Sequence, residues 1–529
     1  MHYVTNELRH RSPLGPLGPM ALAAALLLGL PTSARAQGTR LNEADAIGEA
    51  MDHNPSLRAS LHDYQQAHQS VLAEESLYIP TWLADAGVTH SESPRLAQDS
   101  TTISKSDSID LGTELRHTFP WGTAFSVRFE GSRTTTTSQL VPGSDQTVTT
   151  GPGYSLLGRV AVTQPLLRGF GSDVGEASLR QAMLSRTAAE RARDRAASEM
   201  LRDVLEAYWE LWYVERALGI EQEAAGLAIR RRDDAKRQVA AGSMAPVAVL
   251  PFETRAAELE QSVLASEAQG QQQSLGLGLL LGRDPTTADQ LHAETTEIPE
   301  VPPRNREAVL QAAVDQSVVV AQQKAQLALA RDRVTVAGEA ERPRLDLEAY
   351  VQTQGLGNRN VPPALEQFGT FDALSAHVGL VFELPLMGGR RSAQRRAAEA
   401  SVDANRERLY AAEQQAKAEA AAELVRLEQA RRRVQLAASM AEVATQNVEA
   451  QQKRYEQGDA ITLEVHEAED ELRRAQLGVT RAKVDAVQAN IRIDHLTGEL
   501  LRRYGHLVPS KAPLRPRREG SALRRLGPF

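Results

Sequence analysis

Apolar and polar residues alternate with a period of two in two separate regions of the chain. Every second residue is apolar between 374 and 384, and residues 345–351 show the same alternation. An earlier region behaves alike at 109–119, 125–129 and 156–163. This spacing places the apolar side chains on one face of an extended strand. The pattern therefore predicts two groups of β-strands, each strand with one apolar and one polar face.

Two long segments have the composition of α-helices. Residues 175–240 and 392–457 are rich in Ala, Arg, Glu, Gln and Leu and contain no proline. Both segments span 66 residues, which corresponds to about 100 Å of helix. Shorter helices are predicted on either side of each long one, at 41–78, 247–282, 305–341 and 463–500.

The flanks of the two long helices repeat as well. The run from Gln164 to Gly169 recurs from Leu384 to Gly389, and Val239-x-x-Gly242 recurs as Tyr455-x-x-Gly458. Repetition of ordered flanks is stronger evidence for duplication than shared composition. The chain therefore contains two copies of one unit, and the second copy is the shorter.

The first residues predict export. Arg9 and Arg11 precede an apolar run at 21–30, and Ala34-Arg35-Ala36 follows it as a small-x-small cleavage site. The predicted division is a signal peptide at 1–36, a first repeat at 37–282 with strands at about 83–165, a linker at 283–304, a second repeat at 305–504 with strands at about 345–385, and a basic tail at 505–529 that is expected to be mostly disordered.

Composition excludes several classes of function. The net charge of −8 comes from interspersed acids and bases, whereas a nucleic-acid partner would require a clustered basic face. The sequence contains no cysteine, no phosphate-binding glycine loop, no nucleophile elbow and no histidine–carboxylate set with metal-ligand spacing. We expect neither an enzyme nor a bound cofactor or metal.

Amphipathic strands of about ten residues are typical of membrane barrels, although a soluble sandwich would show the same alternation. Since an open sheet cannot span lipid, membrane strands would have to close a barrel with other copies of the chain. The first copy has 84 residues between Pro80 and Pro165, but the second has 41 between Pro343 and Pro385. The excess predicts an extra hairpin at 109–131 that turns at 119–122, between outer loops at 93–107 and 133–153. Either this hairpin enters the barrel, giving 18 strands in a trimer instead of 12, or it folds outside.

In this ordered set of features the mature chain resembles the TolC-like outer-membrane efflux family. The resemblance rests on Pro-Leu-Leu-Arg-Gly from 165, Pro-Leu-Met-Gly-Gly from 385, a glycine at each long-helix end and Asn-Pro-Ser-Leu from 54. It implies an α+β fold in which a homotrimer shares a transmembrane β-barrel and a coiled-coil helical tunnel that extends into the periplasm.

The resemblance also implies a function. The chain would be the outer-membrane exit duct of a tripartite efflux or type I secretion system, conducting solutes passively, with a periplasmic adaptor and an inner-membrane transporter as partners. The alternative is a periplasmic coiled-coil structural protein without a channel, which leaves the strands unexplained.

The resemblance further implies site residues at the end of the second copy. Glu464 and Glu467 match carboxylates that form rings at the family's periplasmic gate, and Tyr455 matches a gate position, whereas Ala460 stands where the family often has arginine. By spacing alone, the two glutamates could belong to an ordinary solvated helix start. The same resemblance implies that adaptors dock on the hairpin tips, here marked by Gly242, Val247, Gly458 and Leu463.

Overall fold

The computed structural model describes residues 38–97, 100–139, 146–286, 289–295, 297–384, 386 and 389–508. The predicted signal peptide lies outside the described residues, as do 509–529 of the basic tail and three residues of the second strand-to-helix motif. Within the described ranges the chain combines very long helices with one large sheet, so the predicted α+β class is confirmed.

Two helices dominate the molecule. α4 (Ala177–Ala240) has 64 residues and α9 (Arg390–Glu456) has 67, and each therefore extends about 100 Å. Each pairs with the next helix along the chain to form a hairpin, α5 with α4 and α10 with α9. The remaining described helices are α1 (Glu43–His53), α2 (Pro55–Glu75), α3 (Ser172–Gly175), α5 (Leu250–Leu280), α6 (Arg306–Asp315), α7 (Val318–Glu341), α8 (Pro362–Thr370), α10 (Thr462–Leu496) and α11 (Glu499–Tyr504).

The single helices predicted at 41–78 and 305–341 are wrong, because each is two helices. Pro55 has no backbone N–H and disfavours the helical conformation at the residue before it. Asn54 there adopts a non-helical φ and ψ, and its side chain accepts from the N–H groups of Ser56 and Leu57. In the second copy Ser317 separates α6 from α7 by an extended backbone, without a side-chain hydrogen bond to the helix.

Six strands form one continuous antiparallel sheet with the order β2-β3-β4-β5-β7-β8. A separate short pair joins β1 and β6 in parallel. The sheet has two unpaired edges, β2 and β8, in the single chain. The bounds are β1 (Thr39–Leu41), β2 (Thr81–Ala97), β3 (Ser100–Thr118), β4 (Ala124–Gln139), β5 (Thr147–Pro165), β6 (Leu291–Ala293), β7 (Arg344–Asn358) and β8 (Leu374–Glu383).

The extra hairpin of the first copy lies inside this sheet. β3 and β4 occupy positions between β2 and β5, and the N–H of Phe119 donates to the carbonyl of Thr123 across their turn. The expected outer loops at 93–107 and 133–153 are largely strand instead. Thr and Ser dominate these segments, and threonine favours strands where a neighbouring strand supplies the ladder of hydrogen bonds.

The register assigns opposite characters to the two faces of the sheet. One face, here called the apolar face, carries exposed hydrophobic side chains on every strand. The other, the charged face, carries most of the ionisable side chains of the same strands. The apolar face includes Trp82, Val88, Ile109, Leu111, Leu115, Phe129, Val160, Val351, Val378 and Leu380, and the charged face includes Asp85, Glu114, Arg128, Arg159, Asp346 and Glu348.

The largest core lies where the first-copy helices meet α10 and the β1–β6 pair. Tyr208 and Leu211 of α4 are buried there, and the Trp212 indole N–H donates to the carbonyl of Thr295. The described part of the linker is therefore attached to the helices. Arg283 forms two hydrogen bonds with Glu49, and Arg304 lies 2.7 Å from the Asp494 carboxylate.

Candidate gate and docking tips

The two helix hairpins end in identical caps. Gly242 follows α4 with φ 72°, and Gly458 follows α9 with φ 79°. In both caps the glycine N–H donates to the carbonyl three residues back, and the next residue donates to the carbonyl five residues back. Because only glycine adopts this left-handed backbone without a steric cost, each cap explains its glycine without reference to function. The predicted positive φ values are confirmed.

The tips expose large apolar side chains. Val247, in the turn after Gly242, is 70% exposed, and Leu463, at the start of α10, is 58% exposed. Leaving such a side chain in water, instead of burying it fully, costs about 1.5–3 kcal/mol. Exposed apolar residues at the far end of a long hairpin suit an interaction surface.

The predicted gate residues lie on the second tip. The Glu464 carboxylate lies 3.6 Å from the guanidinium of Arg454, on the last turn of α9. Glu467 is exposed one turn farther along α10, and Tyr455 is 43% exposed beside Arg454. Arg454 also donates to the carbonyl of Asp459. An arginine therefore contacts the tip despite the alanine at 460, but it comes from the end of α9.

A set of ion pairs joins the two hairpins just behind the tips. Arg231 of α4 lies 2.6 Å from Glu469 of α10, and Arg255 of α5 contacts Asp470 of α10. These pairs are half-buried or more, so solvent screens them less than it screens surface pairs. They hold the second-copy hairpin against the first-copy hairpin. Here this set is called the tip clasp and consists of Arg231, Arg255, Glu469 and Asp470.

His466 lies within the tip clasp. Its ring meets Phe252 of α5 edge-on with 5.6 Å between centroids. Burial lowers the pKa of His466, nearby Arg231 and Arg255 lower it further, and Glu469 and Asp470 oppose the shift. The imidazole is therefore neutral at physiological pH.

Further pairs continue this connection along α10. Arg473 pairs with Glu221, Arg481 with Glu210 and Arg492 with Glu206, always from α10 to α4. The sequence alone does not predict these pairs. Arginines at 473, 481 and 492 are visible in the sequence, but their partners lie more than 250 residues away, and nothing in the local pattern matches one helix to the other.

The charged face of the sheet forms its own network. Arg128 lies within 3.5 Å of Asp85, Glu114 and Glu130, each on the same face. Arg159 stacks over the ring of Tyr350 at 3.7 Å, and Tyr350 stacks on His377. Such a wall of paired charges suits contact with water and polar solutes.

In the described part of the chain, no group of three or more His, Cys, Asp or Glu side chains could hold a metal ion. None of the helices described is both long and apolar enough to cross a membrane.

Comparison with protein families gives one match. Residues 309–499 match the model of the family described as outer membrane efflux protein. The resemblance inferred from the sequence is therefore confirmed. No curated protein matches the chain.

Solved structures match over most of the chain. The outer membrane protein VceC of Vibrio cholerae is 17% identical, with a TM-score of 0.61 over 86% of this chain and 96% of that one. The CmeC outer membrane channel of Campylobacter jejuni is 12% identical, with a TM-score of 0.65 over 89% and 90%. The MtrE outer membrane channel of Neisseria gonorrhoeae in its open state is 15% identical, with a TM-score of 0.59 over 89% and 91%. At these identities the likeness shows a shared fold.

Proposed function

We propose that this chain, which carries an outer membrane efflux protein domain and has the fold of TolC-like channels, is the outer-membrane exit duct of a tripartite efflux or type I secretion system. It is a channel component and not an enzyme, and its place is the outer membrane, with the helices extending into the periplasm. The observation that carries the proposal is one sheet with an apolar and a charged face, joined directly to helices of about 100 Å. A purely structural coiled-coil protein would not need such a sheet.

In the single chain, backbone N–H and C=O groups along both sheet edges lack hydrogen-bond partners. Such unpaired groups are highly unfavourable in the hydrocarbon core of a membrane. We infer that β2 of one copy pairs with β8 of the next and that three copies close the barrel. Six strands from each copy would give 18. In this arrangement the apolar face meets lipid and the charged face lines the pore.

The decisive experiment is reconstitution of the full chain in planar lipid bilayers. A heat-stable trimer on a gel, with discrete single-channel conductance, is expected. Protease treatment of intact cells distinguishes a barrel of 18 strands from one of 12. Strands in the barrel wall are protected from the protease, whereas a hairpin outside the barrel is not. Cleavage within residues 123–131 would exclude the hairpin from the barrel, and a stable monomer without conductance would overturn the channel itself.

The gate is proposed at the second tip. Threefold symmetry would bring Glu464 and Glu467 of three copies toward one axis, where six carboxylates attract cations. Tyr455 and Arg454 flank them on α9. Replacing both glutamates with glutamine should weaken block of the channel by divalent cations from the helix side. Unchanged block would remove these residues from the gate.

The tips are proposed to bind a periplasmic adaptor, which connects the duct to an inner-membrane transporter. Val247 and Leu463 offer the apolar contact, and Gly242 and Gly458 shape the turns. Val247→Ser with Leu463→Ser should abolish transport in cells while trimer assembly and conductance remain normal. Leu264→Ser, at an exposed leucine on α5 away from the tip, is the matched control. Normal transport by the double variant would exclude docking at these residues.

A further inference from the structure

A short helix that the sequence did not predict lies on the apolar face of the sheet. α8 connects β7 to β8 at the end of the sheet remote from the long helices, and it folds back over β5 and β7. Glycines at 158, 355 and 357 lie beneath it. A Cβ atom at Gly355 would overlap the carbonyl of Ala364, and one at Gly158 would lie 2.8 Å from the ring of Phe368. Glycine at these positions lets the helix approach the sheet.

The backbone at both ends of α8 is left-handed without glycine. Arg359 has φ 62° and Phe371 has φ 57°, and they are the only non-glycine residues with positive φ in the described chain. Such positions carry a steric cost that packing must offset. The fold therefore maintains α8 in this place against local backbone preference.

An apolar groove remains between α8 and the neighbouring strands. Its volume is about 380 Å³. Leu365 and Phe368 of α8 form one side, with Leu365 55% exposed. Glu130 borders the groove only through its backbone, because its carboxylate binds Arg128 on the charged face. The lining side chains from the strands on this face are Leu111, Thr113, Phe129 and Leu156.

A cationic side chain lies just beyond this groove. Arg133 follows Gly131 by two residues on β4 and pairs in register with Ile109 and Tyr154. It is therefore on the apolar face, about 6–7 Å farther from the long helices. Arg133 is exposed and forms no ion pair with any described residue. Beyond it the same face carries mainly charged and hydroxyl side chains, such as Asp107 and Thr135, so the continuous apolar band ends near Arg133.

We propose that the groove and Arg133 together form a binding site for a phosphate-bearing membrane lipid. One acyl chain lies between α8 and the strands, and the phosphate contacts the Arg133 guanidinium. This inference rests on the proposed function, since the apolar face must lie in lipid. A bound peptide fits less well, because β3, β4 and β5 are paired on both sides and offer no free backbone groups.

The test uses the full-length trimer in nanodiscs with spin-labelled phosphatidylglycerol. We expect a motionally restricted population of label in the unmodified protein. Leu365→Ser and Arg133→Gln should each lower the affinity for this population about tenfold. Leu374→Ser, at an equally exposed leucine on the apolar face of β8, should leave it unchanged. Spin-labelled diacylglycerol, which lacks phosphate, should bind more weakly and should not respond to Arg133→Gln.

Single-channel conductance of the same samples separates the two proposals. A trimer that conducts normally but restricts no lipid, or restricts it equally in all variants, would overturn the lipid site alone. A chain that neither inserts nor conducts would overturn the proposed function and this site with it. Equal binding of the phosphate-free lipid would overturn the role of Arg133.

Discussion

Arg231 of α4 and Glu469 of α10 face each other across the two repeats with 2.6 Å between Nη1 and Oε2. Both side chains are largely buried, and Gln452 of α9 approaches the same carboxylate. The pair lies directly behind the hairpin tips. It therefore connects the two halves of the chain at the end where the gate is proposed.

Loosening this pair should open the tip. Glu469→Gln leaves the Arg231 guanidinium without its anion, at a cost of about 1–3 kcal/mol. The resting single-channel conductance measured in planar bilayers should rise. Glu428→Gln is the matched control, because Glu428 forms an exposed pair with Arg432 within α9. Equal conductance in both variants would show that the pair does not restrain the tip.

Acid should loosen the same region through His466. Burial lowers the pKa of its imidazole below the unfolded value of 6.5, so the neutral form stabilises the folded contact. This contribution is present above pH 6.5 and is lost as the pH falls through the lowered pKa. The protection factors of the backbone amides of residues 462–470, which correct hydrogen exchange for its intrinsic dependence on pH, should therefore fall between pH 7.5 and 5.

The control for this pH effect is an exposed histidine on α2. His466→Gln should flatten the pH dependence of these protection factors, whereas the same substitution at exposed His62 should not. An unchanged profile in the His466 variant would assign the acid response to the surrounding carboxylates.

The cap glycines give a test of local stability. At Gly458 an added Cβ meets no atom within 4 Å, so Gly458→Ala introduces backbone strain alone, about 1–2 kcal/mol. Gly478, inside α10, is equally open but helical. Gly478→Ala should instead stabilise by about 0.5–1 kcal/mol. The midpoint of thermal unfolding, followed by circular dichroism, should fall for Gly458→Ala and rise for Gly478→Ala.

Asn54 should contribute more to the stability of the fold than an ordinary helix cap does. It accepts from two N–H groups of α2 and donates to the carbonyl of Leu280, and it is buried. Asn54→Ala should cost about 2–4 kcal/mol, since it removes a cap and leaves buried groups unpaired. Asn42→Ala removes one exposed cap bond and should cost about 1 kcal/mol. The temperature at which the trimers dissociate on a gel measures the destabilisation in both variants. Equal temperatures for the two variants would contradict the larger role of Asn54.

The charges on the charged face predict that the channel conducts cations in preference to anions. Among the side chains that the structure describes there, carboxylates outnumber arginines, with Asp85, Asp110, Glu114, Glu130, Asp346, Glu348 and Glu383 against Arg116, Arg128, Arg159 and Arg344. Reversal potentials in a salt gradient should show a preference for cations. Glu348→Gln should reduce it, and Glu366→Gln, on exposed α8, should not. Anion preference would place the charged face outside the pore.

The strands and long helices were predictable because each depends on a local period. α4 begins and ends within two residues of the predicted 175 and 240. The breaks at Asn54 and Ser317 were missed, although the Asn-Pro pair at 54 was a visible signal. α8 and the tip clasp could not be found, since both depend on contacts between segments distant in sequence. The domain division and the roles of the gate and tip residues stay predictions.

The position of the β3–β4 turn has a consequence for how such ducts diversify. The N–H of Gly171 donates to the carbonyl of Trp121, so this turn lies against the junction between β5 and the long helix. Removing β3 and β4 would leave β2 and β5 free to pair as one hairpin, at the loss of this contact beside the long helix. Since the diameter of a barrel grows with its strand number, whole hairpins can change the width of the outer mouth independently of the periplasmic end. In the proposed duct, the width of the exit and the fit to a periplasmic partner would then be separately adjustable.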